Sequence, residues 1–192
     1  MEKPYRLEIV RSRRKTIGIQ IAGPGHVRVR APLHCSEREI ARVLTEKEHW
    51  IETHLEKAAR REEAIRQQPR LSREELNRLA DAALAVLPLR VSELARQMGV
   101  RYHRITIRNQ RTRWGSCSAK GNLNFNVMLM LCPQAVVDYV IVHELCHLKE
   151  MNHSPRFWAE VEKVLPRYKE SRAWLKANGN VILARMPMGP ED

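Results

Sequence analysis

The chain has 192 residues, enough for one ordinary domain or a compact domain with an appended subdomain. A hydrophobic share of 43% supports a real core and excludes global disorder. Lys and Arg number 34 against 22 Asp and Glu, a net charge of +12 that favours nucleic acid, an anionic membrane surface or an acidic protein as partner, although no nucleic-acid-binding signature accompanies it.

In chain order, Leu7 and Ile9, then Ile17, Ile19 and Ile21, then Val27 and Val29 alternate with polar neighbours. This period of two predicts three short strands, joined at 11–15 and at Gly23-Pro24-Gly25, as a three-stranded meander. Ser36 and Glu39 have capping-box spacing, with Cys35 and Ile40 placed as a staple across it. The helix they open lines Ile40, Val43, Leu44, Ile51 and Leu55 on one face, with Trp50 beside it. Residues 57–70 are charged and read as a solvated helix end running into a linker at Pro69.

A second capping box, Ser72 with Glu75, opens a helix carrying Leu76, Leu79, Ala80, Ala83, Val86 and Leu87. Pro88 is expected to kink or split it, after which Val91, Leu94, Ala95 and Met98 continue the stripe to Gly99. From Tyr102 the period returns to two. The runs 103–108 and 122–127 predict strands of an antiparallel sheet, with Arg113-Trp114-Gly115-Ser116-Cys117 between them. Pro133 starts a helix over roughly 134–150, and Ser154 with Pro155 caps another. Phe157–Leu165 and Tyr168–Asn178 read as closing helices separated by Pro166, with Gly179 ending the last and Met186–Asp192 a frayed tail.

The fold class expected is α+β. Its divisions are 1–70 (strands plus a long helix), 71–182 (core) and 183–192 (flexible tail). The four cysteines, Cys35, Cys117, Cys132 and Cys146, form no C-x-x-C pair. No apolar run approaches the ~20 residues of a membrane span, and the first ten residues are charged. A reducing, cytoplasmic location without membrane insertion is the expectation.

The chemistry concentrates in Val142–Leu148, which reads V-H-E-L-C-H-L. On a helix, His143 and His147 sit about 40° apart and one turn along, so both imidazoles can converge on one ion. Glu144 lies about 100° around from His143, where it reaches a water on that ion without ligating beside the histidines. Two histidines and a glutamate in a strongly apolar helix would be costly to bury without a partner, which favours a metal. Two protein ligands are too few for a catalytic zinc. His153 is the favoured third, because the chain turns sharply between Asn152 and the cap at Ser154; Glu160 and Glu162 compete with it. Cys146, a third of a turn from His147, reads as a buried thiol.

Arg113–Cys117, the Asn122–Asn126 strand, Tyr139–Leu148 and Asn152–Trp158 together resemble the YgjP-like metallopeptidases, relatives of the SprT-like and WLM zinc proteases. The likeness is strong over residues 100–178 and looser before them. It implies a minimal zincin-like core, a small antiparallel sheet packed on an H-E-x-x-H active-site helix. It further implies one zinc ion held by His143, His147 and His153, with Glu144 as general base. The strand near Arg113, Trp114, Gly115 and Ser116 would then border the cleft, where an extended peptide can add to the sheet edge. Trp114 and Trp158 read as core packing, Arg113 as either an oxyanion electrophile or an ion-pair partner, and His103 and Tyr168 as weak candidates for a transition-state donor.

The function expected is therefore a zinc-dependent metallopeptidase that hydrolyses peptide bonds of a peptide or protein substrate with a metal-activated water. Ligand type alone leaves nickel, cobalt or iron open. The alternative is a nucleic-acid-associated metalloprotease acting on DNA- or RNA-bound proteins, suggested by the basic charge. A folding-only metal domain is disfavoured, since a structural zinc needs no base and usually has four protein ligands.

Overall fold

In the computed structural model, which describes residues 4–187, the chain divides into two units, Met1–Gln67 and Gln68–Asp192. Each builds its own core around a three-stranded sheet, giving an α+β architecture. No helix among the described residues is long and apolar enough to cross a membrane.

The first unit contains β1 (Arg6–Ser12), β2 (Gly18–Gly23) and β3 (His26–Pro32), then α1 (Glu37–Glu46) and α2 (Glu48–Gln67). Ser36 accepts from Glu39 N and Glu39 returns a bond to Ser36 N, so the expected capping box forms. The strands are not a meander: the order is β1-β3-β2, with β1 parallel and β2 antiparallel to β3. The central place goes to β3 because its inward residues Val27, Val29 and Ala31 are wholly buried, whereas Ile9 and Val10 of β1 stay exposed. Ile40, Leu44 and Ile51 close the core over it.

The second unit opens with α3 (Arg73–Met98), capped by Ser72 and Glu75 as expected. Pro88 lies inside this helix without splitting it. Ala83, Leu87, Val91, Leu94, Ala95 and Met98 form its buried stripe, and packing of that stripe outweighs the lost backbone bond. Gly99 ends it at φ +66°, a left-handed cap that needs glycine.

The second sheet comprises β4 (Arg104–Arg108), β5 (Gly115–Cys117) and β6 (Asn122–Asn126). The antiparallel sheet expected here is mixed: β6 is central, paired parallel to β4 and antiparallel to β5. Again the most buried strand wins the middle, with Leu123 and Phe125 fully buried. The three-residue β5 is left as an edge.

A 3-10 turn over Val127–Leu131 leads to α4 (Gln134–Cys146), which is buried on nearly every side. Arg90 of α3 donates two 2.7 Å bonds to the carboxylate of Asp138 and fixes α3 against α4. The expected helix to 150 stops at Cys146, because tight bonds from Leu148 N to Leu145 O and from Lys149 N to Cys146 O turn the chain. Then follow α5 (Pro155–Val164), with Ser154 as N-cap, and α6 (Tyr168–Ala184).

Two terminal expectations are corrected. Gly179 does not end α6; it is buried mid-helix, where a Cβ would meet Nε1 of Trp114 at 3.1 Å. Met186 is not part of a frayed tail either: it is 4% exposed within the core, and Leu71 N donates to Arg185 O at 2.7 Å. The remainder of the tail, 188–192, lies outside the described residues.

Candidate metal centre

Buried α4 delivers His143 and Glu144 from its last turn, and His147 caps its C-terminus. The chain then reverses. Asn152 Oδ1 accepts from Ser154 N at 3.1 Å, and Ser154 Oγ accepts from Phe157 N, which together fix His153 at the corner. His143, His147 and His153 each offer one ligand atom, and these atoms lie within 4.8 Å of one another. Glu160 and Glu162 do not join them. Glu160 accepts from Lys149 at 2.9 Å and from Lys163, and these two lysines hold its carboxyl down at about 2; Glu162 pairs with Lys169.

The three rings also fit a cation chemically. Nε2 of His153 lies 3.0 Å from Nε2 of His143, so either one nitrogen donates to the other or both face a shared ion. Nδ1 of His147 is 3.1 Å from the Glu150 carbonyl, which can only accept, so Nδ1 carries the proton and Nε2 is free to ligate. Burial, followed by the neighbouring His147 and His153, pushes His143 down to about 3, and burial also lowers His147. Neutral imidazoles of this kind are the form that binds metal. Nδ1 of His143 is buried and has no hydrogen-bond partner.

Phe157, fully buried, touches all three rings, with centroid distances of 4.9 Å to His143, 4.6 Å to His147 and 4.8 Å to His153. Tyr139 lies edge-on to His143 at 5.9 Å, one turn earlier on α4. Trp158 stacks on His153 and on Tyr168. The cluster is therefore walled by aromatic side chains, a low-dielectric setting that strengthens electrostatics inside it.

Glu144 is 6% exposed, and burial raises its carboxyl to about 8. It lies against the edge strand: a Cβ on Gly115 would come within 2.7 Å of Glu144 Oε1. Gly115 is held there by its neighbours. Trp114 packs on Gly179, its carbonyl accepts from Asn126 N at 2.8 Å, and buried Asn126 Nδ2 donates to the carbonyls of Gln110 and Arg113. Ser116 instead faces Asn124, whose Nδ2 donates to its hydroxyl at 3.0 Å. Arg113 is exposed, and no ion-pair partner reaches it among the described residues.

Burial, followed by Glu160, pushes the Cys146 thiol up to about 12, in keeping with its burial on α4. The sequence assigns no individual role to Tyr139, Phe157, Asn126 or Arg172. Tyr139 carries a usable signal, lying four residues before His143 on the same helix face. Asn126 and Arg172 carry none, because long-range folding brings their partners to them.

The profile of the YgjP-like, metallopeptidase domain matches residues 15–82 and 65–178. Among solved structures, the metallopeptidase zymogen abylysin of Pyrococcus abyssi is 26% identical, with a TM-score of 0.44 over 47% of this chain and 93% of that one. The metallopeptidase zymogen jannalysin of Methanocaldococcus jannaschii is 22% identical, with a TM-score of 0.41 over 45% of this chain and 90% of that one. No curated protein matches the chain. The expectation of a nucleic-acid-associated factor draws no support from these relatives. The family match spans most of the sequence, and the chain belongs to the YgjP-like metallopeptidases.

Proposed function

We propose that this chain is a zinc-dependent peptidase in which His143, His147 and His153 hold the ion and Glu144 is the general base. The observation that carries the reading is the convergence of three imidazoles beside a buried carboxylate on one helix end. Three imidazoles and an open position are the ligand set of a catalytic zinc. When bound, the ion polarises the scissile carbonyl and acidifies the attacking water.

Glu144 accepts the proton of that water and delivers it to the leaving amine. Gly115 lets it lie flush against the edge strand. The unpaired side of β5 offers backbone donors and acceptors to an extended peptide, so the substrate would add as a further strand. Trp114 and Gly115 position that edge, Ser116 lies within it, and Arg113 stands just before it. The catalytic core lies within the second unit and extends past residue 182 to include Met186. Four free thiols fit a reducing, cytoplasmic setting.

The reading is tested by metal analysis of the purified protein followed by cleavage of a peptide library. One zinc per chain and chelator-sensitive hydrolysis support it. A chain that binds no divalent metal, or whose hydrolysis survives complete metal removal, contradicts it.

A further inference from the structure

Helix α6 presents two residues to the metal centre, one turn apart. Tyr168 is buried and stacks on Trp158 at 5.4 Å and on Tyr139 at 6.4 Å. Arg172 is exposed, and its guanidinium lies 4.5 Å from the centre of the Trp158 ring. That same ring is 5.8 Å from both His143 and His153, so the guanidinium stands one ring away from the two imidazoles.

Several neighbouring cations are neutralised by carboxylates. Lys149 and Lys163 share Glu160, Arg167 pairs with Glu170, Lys169 with Glu162, and Arg90 with Asp138 and Glu93. Arg172 has no carboxylate partner among the described residues, and its guanidinium rests on the Trp158 ring. A guanidinium resting on a ring face keeps its in-plane N–H groups available, and those match an anionic oxygen in planar geometry.

Peptide hydrolysis needs such a group. As water adds to the carbonyl carbon, its proton passes to Glu144 and the carbonyl π electrons move onto oxygen, creating an oxyanion. When the C–N bond breaks, the carbonyl re-forms and the proton leaves with the amine. A donor near the developing charge accelerates the step. Tyr168, also a donor candidate, is 6% exposed, with its ring packed between Trp158 and Tyr139, whereas the Arg172 guanidinium is open to solvent.

We propose that Arg172, held on the Trp158 platform, binds an anionic oxygen of the substrate beside the metal centre. This rests on the peptidase reading above. The oxygen is either the oxyanion of the scissile carbonyl or the free C-terminal carboxylate of a short peptide, and both present the same chemistry to a guanidinium.

The test uses the zinc-loaded full chain as wild type, Arg172→Gln and Arg172→Lys, on matched peptides with free and amidated C-termini. If the oxygen is the oxyanion, Arg172→Gln lowers kcat about 100-fold on both peptides with little change in KM, and Arg172→Lys restores part of it. If it is the terminal carboxylate, KM rises about tenfold or more on the free acid alone, and the amide is unaffected. Activity of Arg172→Gln within twofold of wild type on both peptides overturns the proposal. Binding of a phosphinic peptide with a free C-terminus, which presents both an anionic tetrahedral mimic and a terminal carboxylate, is measured alongside by calorimetry. Equal affinity for wild type and Arg172→Gln overturns the role of Arg172 even if no peptide is turned over. Failure of wild type to cleave any peptide, with phosphinate affinity still dependent on Arg172, overturns the peptidase reading alone.

Discussion

Gly115 and Glu144 approach so closely that no side chain fits between them: a Cβ on Gly115 would lie 2.7 Å from Oε1 and 2.8 Å from Cγ of Glu144. The edge strand and the base are thus a matched pair, and the glycine sets where the carboxylate rests. Alanine at 115 must push Glu144 or β5 away. Displacement of a reacting group by about 1 Å costs on the order of 100-fold in rate. Gly115→Ala should therefore lose about that much kcat while keeping its zinc, as read by steady-state kinetics and metal analysis. Undiminished kcat would show that the contact does not position the base.

The buried carboxyl of Glu144 also makes the metal-free protein sensitive to pH. Burial raises it to about 8 from an ordinary value of 4.5. Below about pH 4.5 both folded and unfolded chains hold the proton, and nothing is lost. Between about 4.5 and 8 the unfolded chain releases it while the folded chain keeps it, so stability falls as pH rises. His143, pushed down to about 3, acts in the opposite sense but is common to wild type and Glu144→Gln. In chelator, the stability gained by Glu144→Gln over wild type should widen from about pH 5 to pH 8 in thermal melts. A constant difference would contradict the burial argument.

Asn126 is fully buried and ties three backbone groups together. Its Nδ2 donates to Gln110 O at 2.6 Å and Arg113 O at 2.7 Å, and its Oδ1 accepts from Met128 N at 3.0 Å. Truncation leaves these groups buried without partners, at roughly 1–3 kcal/mol for each one stranded. Asn126→Ala should lower the denaturant midpoint and release the 110–114 turn that carries β5. An unchanged midpoint would mean that water replaces all three bonds.

His153 is exposed and bonded to little beyond the other histidines, so removing it should spare the fold. His153→Ala should melt like the wild-type apoprotein yet bind zinc at least about 100-fold more weakly, leaving only two imidazole ligands. Zinc titration with a competing chelator reads this directly. Full zinc affinity in His153→Ala would remove it from the ligand set.

Local chemistry was legible in the sequence, and long-range pairing was not. The capping boxes at Ser36 and Ser72 and the cap at Ser154 depend on neighbours three residues away, so they can be read from the chain. The spacing of His143, Glu144 and His147 likewise follows from helical geometry. Strand order does not, because a meander and the observed central placement of β3 and β6 share one alternation pattern. Gly179 defeats the C-terminal glycine signal, which presumes positive φ, because its φ is not positive and its role is to admit Trp114. Met186 reads as tail by composition, and long-range bonds such as those from Leu71 N to Arg185 O and from Arg185 Nε to Pro69 O hold its segment against the core.

The most direct test of the account replaces Glu144 by glutamine in zinc-loaded protein and measures metal content and peptide hydrolysis together. The account predicts one zinc per chain, as in wild type, with hydrolysis reduced at least about 100-fold. Hydrolysis at the wild-type rate would contradict it.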